Sequence, residues 1–186
     1  MGVPESHNDP RDDQRLISAL NRGDSAAFDA LYHRYRDWVV RLAFRFTGSD
    51  ADALDVLQET FAYLFGKFPG FVLTARMTTF LYPVVKNLSI AAKRKRDRHV
   101  SEDSLPDPVA AAPRSDANQS RQELSAVLAS LPEAQREVLL MRFVDEMSLA
   151  EIGSALQIPE GTVKSRLHNA LATLRHDPRA KEYFDQ

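Results

Sequence analysis

Cysteine is absent from the 186 residues, which excludes disulfides, thiolate-ligated zinc and thiol nucleophiles and removes any argument for an oxidising compartment. Glycine is scarce, at seven residues, and no alternating run is long enough for a sheet, so a turn-rich β protein is excluded too. No apolar stretch approaches the ~18 residues that span a bilayer. The N-terminal MGVPESHNDPRDD lacks the apolar centre of a signal peptide. No membrane insertion is expected, and the expected location is cytoplasmic. Met1-Gly2-x-x-x-Ser6 does fit the myristoylation pattern, a short one that matters only in cells that lipidate such ends. An excess of one charge is missing as well: 24 Lys and Arg face 26 Asp and Glu, a net charge of −2. A uniformly basic nucleic-acid coat is thereby ruled out, while a local patch is not. The five histidines are scattered and no phosphate-binding glycine loop is present. Neither a catalytic constellation nor a metal or cofactor site is expected.

What is present is helical spacing. Apolar residues return at three and four from Leu16 through Leu20, Phe28, Leu31, Tyr35, Trp38, Val39 and Leu42 to Phe46. Gly23-Asp24 and Thr47-Gly48-Ser49 punctuate that run, the second as a helix stop. A further helix is expected over 52–68, ending at Pro69-Gly70, and another from Thr78 or Thr79 to beyond Lys95. Phe28, Leu31, Tyr35, Trp38 and Leu42 are most simply core. Composition then shifts: residues 101–123 hold three prolines, no aromatic, and five acids against two arginines, the signature of a solvated, extended tether. Helical spacing resumes at Leu124. The expected fold is all-α, with a disordered tail over 1–13, a helical domain over 14–100, the linker over 101–123 and a second helical domain over 124–186.

Three helical faces carry chemistry. The first lies in SLAEIGSALQIPEGTVKSRLHNALATL, residues 148–174. Ser148 and Glu151 form a capping box, Gly153 permits close approach of a neighbouring helix, and Gln157-Ile158-Pro159 breaks the chain before a second helix that starts near Pro159. On a helical wheel Val163, Leu167, Ala170, Leu171 and Leu174 form one stripe. Gly161, Thr162, Ser165, His168 and Asn169 fall opposite, flanked by Lys164 and Arg166. Small polar groups edged by cations suit a helix laid in a major groove. The same wheel also fits an amphipathic hairpin whose polar face meets only water.

The second is an acidic face on the helix of 52–68, where Asp52, Asp55 and Glu59 recur with Gln58 beside them, opposite a stripe of Leu54, Leu57, Phe61, Leu64 and Phe65. Metal binding is disfavoured, with no histidine nearby and no calcium-loop glycine. A solvated face also offers no burial to shift a pKa for acid–base work. On the residues alone, a plain solvent face is the simplest reading. The third is Lys93-Arg94-Lys95-Arg96-Asp97-Arg98, five cations and one acid in six residues. It supplies a phosphate attraction that the net charge conceals, beyond what a helix C-terminus needs.

These segments resemble one family. Leu131-Pro132, Arg136-Glu137-Val138-Leu139, Glu151-Ile152-Gly153 and the ungapped Gly161-Thr162-Val163-Lys164-Ser165-Arg166-Leu167 are similar to the C-terminal domain of sigma-70 factors of the extracytoplasmic-function group, with Gly153 for the usual Ala. Asp52-Ala53-Leu54-Asp55-Val56-Leu57-Gln58-Glu59-Thr60-Phe61 is similar to the family's DAxDxxQExF segment. The stretch from Thr78 to Ala91 resembles its FxxWLxxIxxNxxxD helix, with Phe80 for the usual Trp, Ala91 for the usual Asp and Pro83 inside the helix. The resemblance implies a transcription initiation subunit, not an enzyme, that binds core RNA polymerase and promoter DNA. Thr162, Lys164, Ser165, Arg166, His168 and Asn169 become candidates for the −35 element, Arg166 alternatively bracing its own domain. Phe80, Tyr82, Lys86, Asn87, Lys93, Arg94, Lys95 and Arg96 become candidates for the −10 element and its backbone, rings serving to stack on exposed bases. The loop of 70–77 is where the family captures a flipped base. Asp52, Asp55, Gln58 and Glu59 become contacts to the β′ clamp, with the second domain also meeting the β flap, and an anti-sigma factor is an expected partner. The tether, 23 residues, could span up to roughly 80 Å. A stand-alone helix-turn-helix regulator is the alternative; it uses only the second half and leaves the acidic helix without a role.

Overall fold

The computed structural model describes residues 10–102 and 125–177. They are helical, and among the described residues there is no strand. The expected linker, apart from the helical 101 and 102, lies outside the described residues, as do the acylation pattern and 178–186. The chain divides into two compact units, Met1–Leu105 and Pro106–Gln186.

In the first unit, α1 (Pro10–Asn21) and α2 (Ser25–Thr47) are separated by a turn through Gly23 and Asp24. Asp24 caps α2 by accepting the Ala26 N–H. Gly48, left-handed, closes α2, and Ser49 caps α3 (Asp50–Phe65) by accepting from Asp52 N–H, so the stop at 47–49 is where the spacing placed it. The expected 52–68 is shifted: the Ser49 cap begins the helix earlier. Its end comes at Gly66 before the Pro-Gly, since Lys67 and Phe68 bond back only three residues in tightened turns. α4 runs Met77–Glu102, past the expected boundary at 100, with Pro83 seven positions in. α2, α3 and α4 pack mutually, with α1 laid on α2. Leu31, Val39 and Leu42 of α2, Val56 and Leu64 of α3, and Met77, Leu81 and Val85 of α4 are fully enclosed. Phe28 and Trp38 are half-buried at the margin of that core.

The expected tail ends sooner than residue 13. Asp13 is buried within α1, where its carboxylate accepts from Arg34 Nη1 at 2.8 Å and from the Tyr35 hydroxyl. Burial chiefly pushes the Asp13 carboxyl above its ordinary value, and burial likewise raises the Tyr35 hydroxyl.

In the second unit, a short helix over 125–129 (α5) is followed by α6 (Glu133–Phe143), α7 (Leu149–Leu156) and α8 (Glu160–His176). Val127, Leu131, Leu139, Ala170 and Leu174 form one cluster, against which Leu128, Leu167 and Leu171 pack. The capping box of Ser148 and Glu151 is present in both directions, at 3.2 and 2.7 Å. Pro159 is the N-cap of α8 and not its first residue. Gly153 allows close approach of the turn and of α8 beyond it: a Cβ there would lie 2.9 Å from the Ile158 carbonyl oxygen, 3.7 Å from Glu160 N and 3.8 Å from Val163 Cγ2.

Candidate nucleic-acid interface

α7 and α8 are the two helices of a helix-turn-helix. The turn is made by Gln157, left-handed at φ 54°, whose N–H bonds back to the Gly153 and Ser154 carbonyls. Ile158 N–H then closes on the Gly153 carbonyl at 3.0 Å. α8 buries Val163, Ala170 and Leu174, and turns Gly161, Lys164, Ser165, His168 and Asn169 outward. Thr162 and Arg166 are half-buried at the edges of that face. Two outward groups are already engaged. Lys164 Nζ lies 2.8 Å from Glu160 Oε1, and the Ser165 hydroxyl reaches the Gly161 and Thr162 carbonyls at 3.1 Å each. Each keeps further capacity in these contacts, the Lys164 ammonium having three donors and the Ser165 hydroxyl its acceptor lone pairs.

On α3 the expected stripe is displaced. Ala53, Val56, Leu57, Thr60, Phe61 and Leu64 are buried, whereas Leu54 is 51% and Phe65 41% exposed. α3 lies between α2 and α4, and small residues fill the tight side, turning Leu54 and Phe65 out. The outward face therefore combines Leu54 with Asp55, Gln58 and Glu59. Asp52 stands apart from them: it is half-buried and ion-paired with Arg96 of α4.

The candidates on α4 divide in the same way. Lys93, Arg94 and Lys95 are exposed on the last turns. Arg96 is held by Asp52 and by the Thr47 carbonyl, 2.9 Å from its Nη2. Asn87 is exposed and Lys86 half-buried. Tyr82 corrects the expectation of a stacking ring: at 1% exposure it is core, edge-on to Phe46 with centroids 6.3 Å apart. α4 enters the bundle with Leu81, Tyr82 and Val85 all inward, so no face of that ring is open to a base.

Phe80, half-buried, instead belongs to an aromatic group that the spacing did not reveal. Its centroid is 4.9 Å from Phe71 and 6.4 Å from Tyr63, and Phe71 lies 5.4 Å from Phe68. Lys67 Nζ sits 4.5 Å above the exposed Tyr63 ring. These rings come from the end of α3, the connecting loop of 66–76 and the start of α4. The only sequence signal for them is aromatic density over 61–82, which has no single period because the loop interrupts it. Among the described residues no group of three His, Asp or Glu side chains could hold a metal ion, and no helix is long and apolar enough to cross a membrane.

Comparison with known proteins agrees with both units. Residues 31–99 match the family profile of Sigma-70 region 2 and residues 121–174 that of Sigma-70, region 4. The ECF RNA polymerase sigma factor SigL of Mycobacterium tuberculosis is 34% identical over 170 residues, covering 86% of this chain and 93% of the relative. The ECF RNA polymerase sigma factor SigW of Bacillus subtilis is 29% identical, with 87% and 94% covered. Among solved structures, CnrH in complex with the cytosolic domain of CnrY superposes with a TM-score of 0.66 at 21% identity, covering 87% of this chain and 94% of that one. RpoE of Bartonella quintana, solved with the anti-sigma factor NepR, gives 0.61 at 21% identity, covering 80% and 94%.

Proposed function

The chain belongs to the sigma-70 family, in its extracytoplasmic-function group, and directs RNA polymerase to specific promoters; from that premise we propose how its residues divide the work. The observation that carries the reading is that adjoining helices of one unit expose opposite charge: Asp55 and Glu59, with the neutral Gln58 beside them, on α3, and Lys93, Arg94 and Lys95 on α4. One face suits a basic protein surface, the other a phosphate backbone. Asp55, Gln58 and Glu59, with the exposed Leu54 among them, dock on the β′ clamp of core polymerase. Lys93, Arg94 and Lys95 track DNA phosphates near the −10 element. The partly exposed rings of Phe80, Phe71, Phe68 and Tyr63, with Lys67 beside them, stack on unpaired bases when the duplex opens; Asn87 stands on the exposed side of α4 within the same helix.

In the second unit, Thr162, Lys164, Ser165, His168 and Asn169 meet the −35 element, with Arg166 at the margin of that face. Phe143 and Val144, each 60% exposed at the end of α6, offer the β flap an apolar contact. The chain acts where polymerase and promoter are, in the cytoplasm, as an initiation subunit and not an enzyme. Because two structural neighbours are complexes with a second protein, named in one of them as an anti-sigma factor, an anti-sigma factor is proposed to hold this chain as well.

Gel filtration of the chain with bacterial core polymerase tests the reading. A stoichiometric complex is expected, and Asp55→Lys with Glu59→Lys abolishes it while the helical circular dichroism is retained. If the doubly reversed chain still co-migrates, the docking face is elsewhere. A native chain that fails to bind core and instead binds DNA as a dimer would point to a stand-alone regulator.

A further inference from the structure

The loop of 66–76 carries Phe68 and Phe71 between α3 and α4, yet most of its residues are exposed, among them Gly66, Lys67, Pro69, Gly70, Val72, Thr74 and Ala75. A segment with so little burial is ordered only by specific fastenings. One is Leu73, which is buried. Another comes from far along the chain. Asn21, the last residue of α1, accepts the Gly70 N–H at 2.7 Å and the Phe71 N–H at 3.1 Å on Oδ1, and donates from Nδ2 to the Phe71 carbonyl at 2.8 Å.

A carboxamide is the side chain that can do all of this, since one end accepts and the other donates, as a peptide group would. The orientation of the amide is dictated by its partners: two N–H groups converge on one atom and a carbonyl faces the other. Gly70 takes φ +97°, a conformation that L side chains rarely adopt, and nothing lies within 4 Å of the place a Cβ would occupy. Glycine is therefore required there by the backbone that Asn21 grips, and not by crowding.

We propose that Asn21 is a positioning residue for promoter opening. By holding the Gly70–Phe71 peptide it presets the Phe71 ring against Phe80, so that the aromatic group meets an unpaired base already ordered. This rests on the assignment of those rings to base stacking. α1 thereby contributes to the −10 interface without touching DNA. Its three hydrogen bonds involve partly exposed backbone, so losing them frees the loop without unfolding the domain.

The test uses holoenzyme assembled from the full chain and core polymerase, on promoter fragments recovered by run-off transcription of genomic DNA with the native chain. In the isolated Asn21→Ala chain, hydrogen exchange at the Gly70 and Phe71 amides is expected to rise about tenfold, with α2–α4 amides unchanged. In holoenzyme, complex formation stays stoichiometric, while open complexes scored by permanganate reactivity fall about tenfold and base preference within the opened segment flattens. Gly70→Ala, which disturbs the same peptide from the loop side, is expected to give the same opening defect. Unchanged exchange would show that Asn21 does not hold the loop in solution. Faster exchange with unchanged opening and base preference would show a structural tie without a positioning role. Either result overturns the proposal. A separate experiment isolates the underlying reading: if Phe71→Ala and Phe80→Ala leave opening intact, base stacking by these rings is wrong whatever Asn21 does.

Discussion

Arg96 and Asp52 are spent on each other. Arg96, inside the basic run of α4, pairs with the Asp52 carboxylate in the first turn of α3 and also caps the last turn of α2 through the Thr47 carbonyl. A cation that reads in sequence as a phosphate contact, and an acid that reads as a protein contact, together fasten three helices at one corner. Both side chains are partly exposed, so the pair is worth on the order of 1 kcal/mol in a double-mutant cycle. Asp52→Ala and Arg96→Ala are each expected to destabilise the first unit by about 1–2 kcal/mol in urea denaturation. Lys95→Ala should lower the salt slope of promoter binding by about one, and Arg96→Ala by clearly less. Equal slopes for the two variants would mean that Arg96 leaves Asp52 for DNA.

Glu160 restrains Lys164 in the free chain, at 2.8 Å along one helix face. Removing that competitor should help DNA binding. Glu160→Gln is expected to tighten promoter binding about two- to fivefold at low salt, at a cost of about 0.3–0.5 kcal/mol from the lost acid at the α8 N-terminus. Lys164→Ala weakens binding and lowers the salt slope by about one. Fluorescence anisotropy over a salt series measures both, and a Glu160→Gln chain that binds no better would show that the ion pair is not in the way.

The Asp13 cluster sets a pH dependence of unusual sign for a carboxylate. Burial raises its pKa in the folded chain above the ordinary 3.8, so the folded state holds that proton more tightly than the unfolded one. Its contribution is therefore full below the ordinary value and declines as pH rises through the raised one. The unfolding free energy of the native chain minus that of Asp13→Asn should fall with increasing pH across this window and then level. A difference that grows with pH would mean that the Arg34 pairing outweighs burial. At neutral pH, Asp13→Ala costs about 2–4 kcal/mol, because Arg34 and Tyr35 lose their shared partner.

Gln157 sits in the left-handed region in the helix-turn-helix turn, with φ 54° and ψ 44°. Gln157→Gly removes the Cβ strain there and is expected to stabilise the second unit by about 0.5–1 kcal/mol, the gain being reduced by the greater freedom of glycine in the unfolded chain. Thermal denaturation reads this directly, and a lower midpoint would show that the turn is unstrained.

How far the spacing carried depended on how each helix is packed. α8 lies with one side against its own unit and the other in solvent, and its wheel matched the observed burial from Val163 to Leu174. α3 packs between two helices, so burial follows position more than hydrophobicity: Ala53 and Thr60 go in while Leu54 and Phe65 stay out. Tyr82 differs from expectation for a related reason, since an aromatic in the first turns of a helix reads alike whether its ring points to a core or to a base.

Sequence by itself determined the helical class, the division into two units, the capping box and turn of the helix-turn-helix, and the family, because each rests on local chemistry or on residues in contiguous order. Tertiary structure alone decided which charges are available and which are consumed internally, which rings form a surface, and that Asn21 grips a loop nearly fifty residues away. Those facts depend on contacts between segments that no local period encodes: a hydrogen bond between Asn21 and Phe71 spans 50 residues, and one between Arg96 and Thr47 spans 49. They form only once the helices have packed and brought those segments together.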